Sequence, residues 1–172
     1  MNSKNLKILI VGVSASGKST FARNLSDITK LPVIFMDSIM WNPGWEYIGD
    51  EETVEKLVEV SENPKWIIEG YITKGARTFL FEKADQIIYL DYSPLVCSLR
   101  YIKRWWKHRI NPRPELEGSP EKFSLKFLRT IWNKWEAISL NKFLAQVPGQ
   151  NKITIIKSPK AASLFISQYK FN

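Results

Sequence analysis

Gly12-Val-Ser-Ala-Ser-Gly-Lys-Ser19 is the stretch that decides the fold. It has the spacing Gly-x-x-x-x-Gly-Lys-Ser. In such a loop successive backbone N–H groups turn inward around phosphate oxygens, and glycine stands where a Cβ would obstruct them. Before it, Leu6 to Val11 is an apolar, β-branched-rich run, as expected for a central parallel strand covered on both faces. After it, Phe21, Ala22, Leu25 and Ile28 recur at helical spacing as far as Lys30, and Pro32 blocks continuation. A strand, a glycine loop and a helix N-terminus, in that order, are the context the motif needs. The start of the helix adds its partial positive charge. The expected ligands are ATP and Mg²⁺, held by Gly12, Ser14, Ala15, Ser16, Gly17, Lys18, Ser19 and Thr20. In that reading Lys18 faces the β- and γ-phosphates, the Ser19 hydroxyl coordinates Mg²⁺, and Thr20 lies near the α-phosphate.

Outward from this loop the same alternation recurs. Val33–Met36 reads as a second strand, residues 51–62 as an acidic amphipathic helix, and Trp66–Glu69 as a third strand followed by a helix near 74–81. Gln86–Leu90 is a fourth strand. Pro94 to about Arg109 is a helix capped by Ser93, with proline in its first turn. Residues 111–120 carry three prolines and a glycine and read as an irregular loop or lid. One long helix is expected over Phe123–Leu144, on the apolar positions Phe123, Phe127, Ile131, Trp135 and Ile138. A fifth strand over Lys152–Ile156 and a helix over Pro159–Tyr169 close the chain. Strands alternating with helices imply a parallel sheet covered by helices on both faces.

The 172 residues, 44% hydrophobic and 13% aromatic, fit one domain over 1–172 with a sizeable core. No apolar run approaches the ~20 residues of a membrane span. Met1–Asn5 lead into the first strand without signal-peptide character, so a cytoplasmic protein without a membrane partner is expected. The single cysteine, Cys97, reads as a buried, inert thiol. The net charge of +8 is local. Residues 95–135 hold ten Lys or Arg against three acidic residues, whereas 31–62 hold eight acidic residues against Lys56 alone. A basic patch of this kind attracts polyanions, ATP and nucleic acid alike.

Four stretches resemble a known family. They are the glycine loop, Leu31-Pro-Val-Ile-Phe-Met-Asp37 with Trp41-Asn-Pro-Gly-Trp45, Trp66-Ile-Ile-Glu69-Gly70, and Ile87-Ile-Tyr-Leu-Asp91 leading into the basic helix. Together they are similar to P-loop kinases of the adenylate kinase-like branch, closest to the adenylate-kinase-related DNA topology modulation proteins. The resemblance implies the P-loop NTPase three-layer α/β/α sandwich, with a five-stranded parallel sheet in the order 2-3-1-4-5. It also implies an acceptor arm over about 37–62 and a short lid over about 104–122. The activity it implies is Mg²⁺-dependent transfer of the ATP γ-phosphoryl group to a small acceptor.

Asp37 ends the second strand, at the carboxyl edge where ligands bind in open α/β sheets. By resemblance it contacts the acceptor hydroxyl or a Mg²⁺-bound water; as a bare residue it is equally a turn former. Glu69 ends the third strand and resembles the acidic residue of the Asp-Gly-Phe-Pro-Arg segment of adenylate kinases, although the Pro-Arg pair is missing here. It can hold a Mg²⁺-bound water or be satisfied by the neighbouring loop. Residues 31–62 contain no arginine, which weakens a nucleotide acceptor. Arg77 is the candidate acceptor arginine, and Trp41 and Trp45 either build an acceptor pocket or pack the arm onto the body. Arg100 and Arg104 share one helix face, and by resemblance one stacks on adenine and the other reaches the phosphates. Arg113 and Arg109 flank the proline-rich loop and can close over the transferred group; otherwise these arginines form a solvated face. His108, the only histidine, reads as a surface residue.

The alternative is a nucleic-acid-binding protein that modulates DNA topology, with ATP regulatory. Arg100-Tyr-Ile-Lys-Arg-Trp-Trp-Lys-His-Arg109 interleaves cations and aromatics as single-strand binders do. No helix-turn-helix, zinc-finger or RNA-binding signature accompanies it.

Overall fold

A computed structural model describes residues 6–146 and 149–169; residues 1–5, on which the expected absence of a leader rests, lie outside the described residues. Its strands are β1 Lys7–Gly12, β2 Val33–Phe35, β3 Trp41–Asn42, β4 Glu46–Tyr47, β5 Trp66–Glu69, β6 Gln86–Leu90 and β7 Ile153–Ile156. Its helices are α1 Lys18–Thr29, α2 Met36–Met40, α3 Asp50–Ser61, α4 Lys74–Lys83, α5 Pro94–His108, α6 Leu125–Trp132, α7 Trp135–Leu144 and α8 Pro159–Tyr169. The main sheet runs β2-β5-β1-β6-β7, all parallel. Counting only its five strands, this is the expected order 2-3-1-4-5. Strands β3 and β4 form a separate antiparallel hairpin.

Strand β1 is central and, from Ile8 on, buried on both faces, which is why Ile8 to Val11 are all apolar rather than apolar at alternate positions. Ile8 and Ile10 face one layer, with Phe21, Leu25, Cys97 and Tyr101 of α1 and α5. Leu9 and Val11 face the other, with Leu57 of α3, Leu80 of α4 and Leu140 of α7. Burial pushes the Cys97 thiol up to about 11, as expected of an inert core cysteine. Ser93 caps α5 through its hydroxyl, 3.4 Å from the Val96 N–H, with Pro94 in the first turn.

Three expectations are corrected. The long helix over 123–144 is two helices, broken at Lys134 in the left-handed conformation (φ 54°). A straight continuation would carry Trp135 and Ile138 inward; the break leaves both exposed and buries Ala137, Leu140 and Leu144 instead. The loop 111–120 contains a 3-10 turn, Pro114–Leu116, anchored by the buried Leu116. The second strand stops at Phe35, so Asp37 lies in the first turn of α2 rather than at a strand end.

Helix α2 abuts the end of β5. Gly70 adopts φ +143°, and a Cβ there would collide with the Met36 Cβ. Glycine at this crossing is what lets the Glu69 and Asp37 segments approach. Gly70→Ala is therefore expected to lower unfolding stability by about 1–3 kcal/mol. A urea denaturation midpoint equal to that of the parent would contradict this packing.

Candidate active site

The carboxyl ends of β1, β2 and β5 open onto a cleft of about 740 Å³. The loop Gly12–Ser19 forms its floor, and Gly12 shows why the chain turns there with glycine. A Cβ at that position would lie 2.5 Å from the Leu90 carbonyl oxygen. Gly17, at φ +93°, caps α1, and a Cβ there would strike the Arg100 guanidinium. Ser14, Ala15, Ser16, Gly17, Lys18, Ser19 and Thr20 all line the cleft. Ser16 is fully buried, and among the described residues its hydroxyl has no hydrogen-bond partner. Lys18 is buried as well, its ammonium donating to the carbonyls of Gly12 and Val13 at 3.0 and 3.1 Å.

Glu136, on α7, is a site residue that the sequence does not reveal. Its carboxylate accepts the Ser14 N–H at 2.5 Å and the Ser14 hydroxyl at 2.7 Å. The loop thus already holds one anionic group, supplied by the chain itself. Arg100 donates to the Ser16 carbonyl and lies over the Tyr92 ring at 5.2 Å.

Above the loop lies a network of three arginines and three carboxylates. Arg113 donates through both terminal nitrogens to one Asp37 oxygen at 3.2 Å, contacts Glu115 at 3.3 Å, and brings its Nε within 2.9 Å of Glu121. Arg104 meets the same Glu121 oxygen at 3.1 Å, and Arg23 of α1 meets Glu115 at 2.5 Å. Burial works against the Arg113 charge, but Asp37, Glu121 and Glu115 outweigh it and hold its pKa above the ordinary arginine value. For Arg104 burial dominates and lowers the pKa. The network ties α1, α2 and the segment 104–121 together. Its deeply buried members, Arg113, Glu115 and Glu121, cannot lose a partner without cost, typically about 3–5 kcal/mol for a buried pair.

Glu69 sits at the bottom of the cleft, 3% exposed. Burial pushes its carboxyl up to about 7; Lys18 and a hydrogen bond with Ser19 pull the other way, and Asp37 adds to the rise. A buried carboxyl with its charge withheld, beside Ser19, suits a Mg²⁺ ion completed by phosphate and water oxygens. Among the described residues no group of three acidic, histidine or cysteine side chains forms a metal cage, and Mg²⁺ bound with phosphates does not require one.

Arg77, Trp41 and Trp45 stand elsewhere. Arg77 is buried behind the cleft, donating to the Ile72 carbonyl and the Ser139 hydroxyl at 3.1 Å each. Trp41 packs against Trp45 and Tyr47, and the Trp45 indole donates to the Pro120 carbonyl at 2.8 Å. The Gly44 N–H meets the Gly118 carbonyl and the Ser119 hydroxyl. The hairpin therefore pins the proline-rich loop and does not line the cleft. On α5 the aromatic residues do not form one stacking platform. Trp105 packs on Phe123, and Arg109 covers Trp106 at 3.7 Å. His108 lines the cleft rim, with its Nδ1 3.1 Å from the Asn111 carbonyl oxygen.

With this geometry in place, the solved structures it resembles can be given. A shikimate kinase from Bacteroides thetaiotaomicron is 16% identical, with a TM-score of 0.62, covering 96% of this chain and 97% of that one. A gluconokinase from Sinorhizobium meliloti 1021 is 15% identical, with a TM-score of 0.60 and coverages of 98% and 91%. A sugar kinase from Janibacter sp. HTCC2649 is 18% identical, with a TM-score of 0.56 and coverages of 95% and 91%. The chain has the fold of the small P-loop kinases. No protein-family model and no curated protein matches it. Within this kinase fold, no described helix is long and apolar enough to cross a membrane.

The state of Glu69 sets a pH dependence. Its folded value of about 7 lies above the ordinary carboxyl value of 4.5, so the stability it contributes is fully present below pH 4.5 and is lost as pH rises through 7. Glu69→Gln is therefore expected to raise the stability of the nucleotide-free protein by up to about 3 kcal/mol at pH 8, with little gain at pH 4.5. Urea unfolding at the two pH values checks this; an equal effect at both would contradict it.

Proposed function

We propose that the protein is a Mg²⁺-dependent phosphotransferase that moves the ATP γ-phosphoryl group to a hydroxyl of a small metabolite. The observation that carries the reading is the P-loop facing a cleft in which Asp37 and three arginines stand opposite Lys18 and Ser19. The loop amides and Lys18 bind the phosphates. Ser19 and Glu69 would hold Mg²⁺, which when bound would supply charge neutralisation for the phosphates. Asp37 orients the acceptor hydroxyl and takes its proton as the new O–P bond forms and the bond to the β-phosphate oxygen breaks. Arg100 lies against the nucleotide. Arg104 and Arg113, on the segment 104–122, exchange carboxylate partners for phosphate oxygens as that segment acts as a lid. Nucleotide binding also requires Glu136 to release Ser14, because its carboxylate holds donors that a phosphate would use.

Support for a hydroxylated metabolite rather than a nucleotide acceptor comes from two sides. The arm carries no arginine, and the candidate acceptor arginine, Arg77, is buried behind the cleft on the Ile72 carbonyl and the Ser139 hydroxyl. Arg77, Trp41 and Trp45 have no part in the acceptor site, since they lie outside the cleft. The adenylate-kinase-related branch is supported by the sequence resemblance alone. The nucleic-acid reading gains no support, since the aromatic residues of α5 do not form one stacking platform: Trp105 packs on Phe123 and Arg109 covers Trp106.

A screen of ATP consumption against hydroxylated acids, sugars, nucleosides and nucleoside monophosphates tests the proposal, with Lys18→Ala as the blank. One hydroxylated metabolite is expected to raise turnover at least tenfold over the acceptor-free rate, and Lys18→Ala to abolish it. Equal ATP turnover with every compound would leave a nucleotide switch in place of a kinase.

A further inference from the structure

Ten of the fourteen large apolar side chains left exposed among the described residues lie between positions 95 and 138, the region that also holds the basic excess of the chain. They are not scattered. Leu95, Leu99, Ile102 and Trp106 of α5 are 58, 60, 42 and 63% exposed. At 3.6 residues per turn they fall within a stripe roughly 60° wide and about 16 Å long. The buried positions of the same helix, Cys97 and Tyr101, face the opposite way, into the core. Exposed Lys103 borders one side of the stripe and Arg109, just past the helix end, the other. No acidic residue occurs between Leu95 and Pro114.

We propose that this face of α5 docks on an anionic lipid surface. An aliphatic and tryptophan stripe flanked by cations is the pattern of a helix lying in a membrane interface, where apolar side chains enter the acyl boundary and cations stay with the headgroups. Charge selects this occupant over a second copy of the chain, since two such faces would bring their basic flanks together. The aliphatic side chains select it over nucleic acid, because Leu95, Leu99 and Ile102 offer no ring for a base to stack on. Because no described helix can cross a bilayer, the contact is peripheral. Arg100 and Arg104 point away from the stripe toward the cleft, so the docked helix leaves the cleft open.

Co-sedimentation of the full chain with vesicles tests this, comparing pure phosphatidylcholine with phosphatidylcholine containing about 30% phosphatidylglycerol. The expected result is at least tenfold stronger binding to the anionic vesicles, weakening as salt rises from about 50 to about 500 mM. Leu99→Glu/Ile102→Glu, on the solvent face, is expected to abolish binding while the circular dichroism spectrum is retained, and Lys103→Glu/Arg109→Glu to weaken it about tenfold. Equal binding to both vesicle types overturns the proposal. So does an absence of vesicle binding combined with concentration-dependent dimers that the double glutamate variant abolishes, which would assign the face to a second copy.

Discussion

The turn at the carboxyl end of β1 is the constraint on which the rest depends. The central strand is buried on both faces, so the chain can leave it only through the narrow space beside Leu90, where a Cβ at Gly12 would lie 2.5 Å from a carbonyl oxygen. Having turned, it must start α1 at once, and the N–H groups of that first turn have no intrahelical acceptors. A loop of inward N–H groups at the edge of a parallel sheet is therefore a consequence of packing before it is a feature of chemistry. Ser16 of this loop is fully buried, and among the described residues its hydroxyl has no hydrogen-bond partner.

The positive groups of the loop and of the wall above it are balanced from within the chain. Glu136 occupies the Ser14 donors, Lys18 turns to the carbonyls of its own loop, and Asp37, Glu115 and Glu121 engage the three arginines above. Each contact satisfies a group that would otherwise be costly to bury. The same contacts hold the segment 104–121 against α1 and α2, so a bound polyphosphate would have to compete with carboxylates for the loop and for the arginines above it. Glu69 is the deep carboxyl beside Ser19, pushed up to about 7 chiefly by burial, with Asp37 adding to the rise.

The parts that were legible in the sequence are those written in contiguous residues. Strand, loop and first helix follow from the spacing between Leu6 and Lys30, and the parallel sheet from repetition of that pattern. What was not legible depends on partners distant in sequence: Glu136 lies 122 positions from Ser14, and Arg23 lies 92 from Glu115. The break at Lys134 carries no glycine or proline to signal it; the burial of Ala137 and Leu140 imposes it. Helix α2 likewise begins at Met36, directly after β2, with Phe35 as an N-cap residue that offers no side-chain cap, so Asp37 reads as a strand end. Residue type alone does not separate the two readings of Trp41, Trp45 and Arg77: aromatic and guanidinium groups suit acceptor pockets, and in this structure they make packing contacts and hydrogen bonds outside the cleft lining.

Gly12–Ser19 as a polyphosphate site guarded by Glu136 has a direct test in calorimetric titration of Mg²⁺·ATP into the parent protein and into Glu136→Ala. A single saturable site is expected in both, with affinity about tenfold higher in Glu136→Ala because the competing carboxylate is gone. Weaker binding in that variant, or none in either protein, would contradict it.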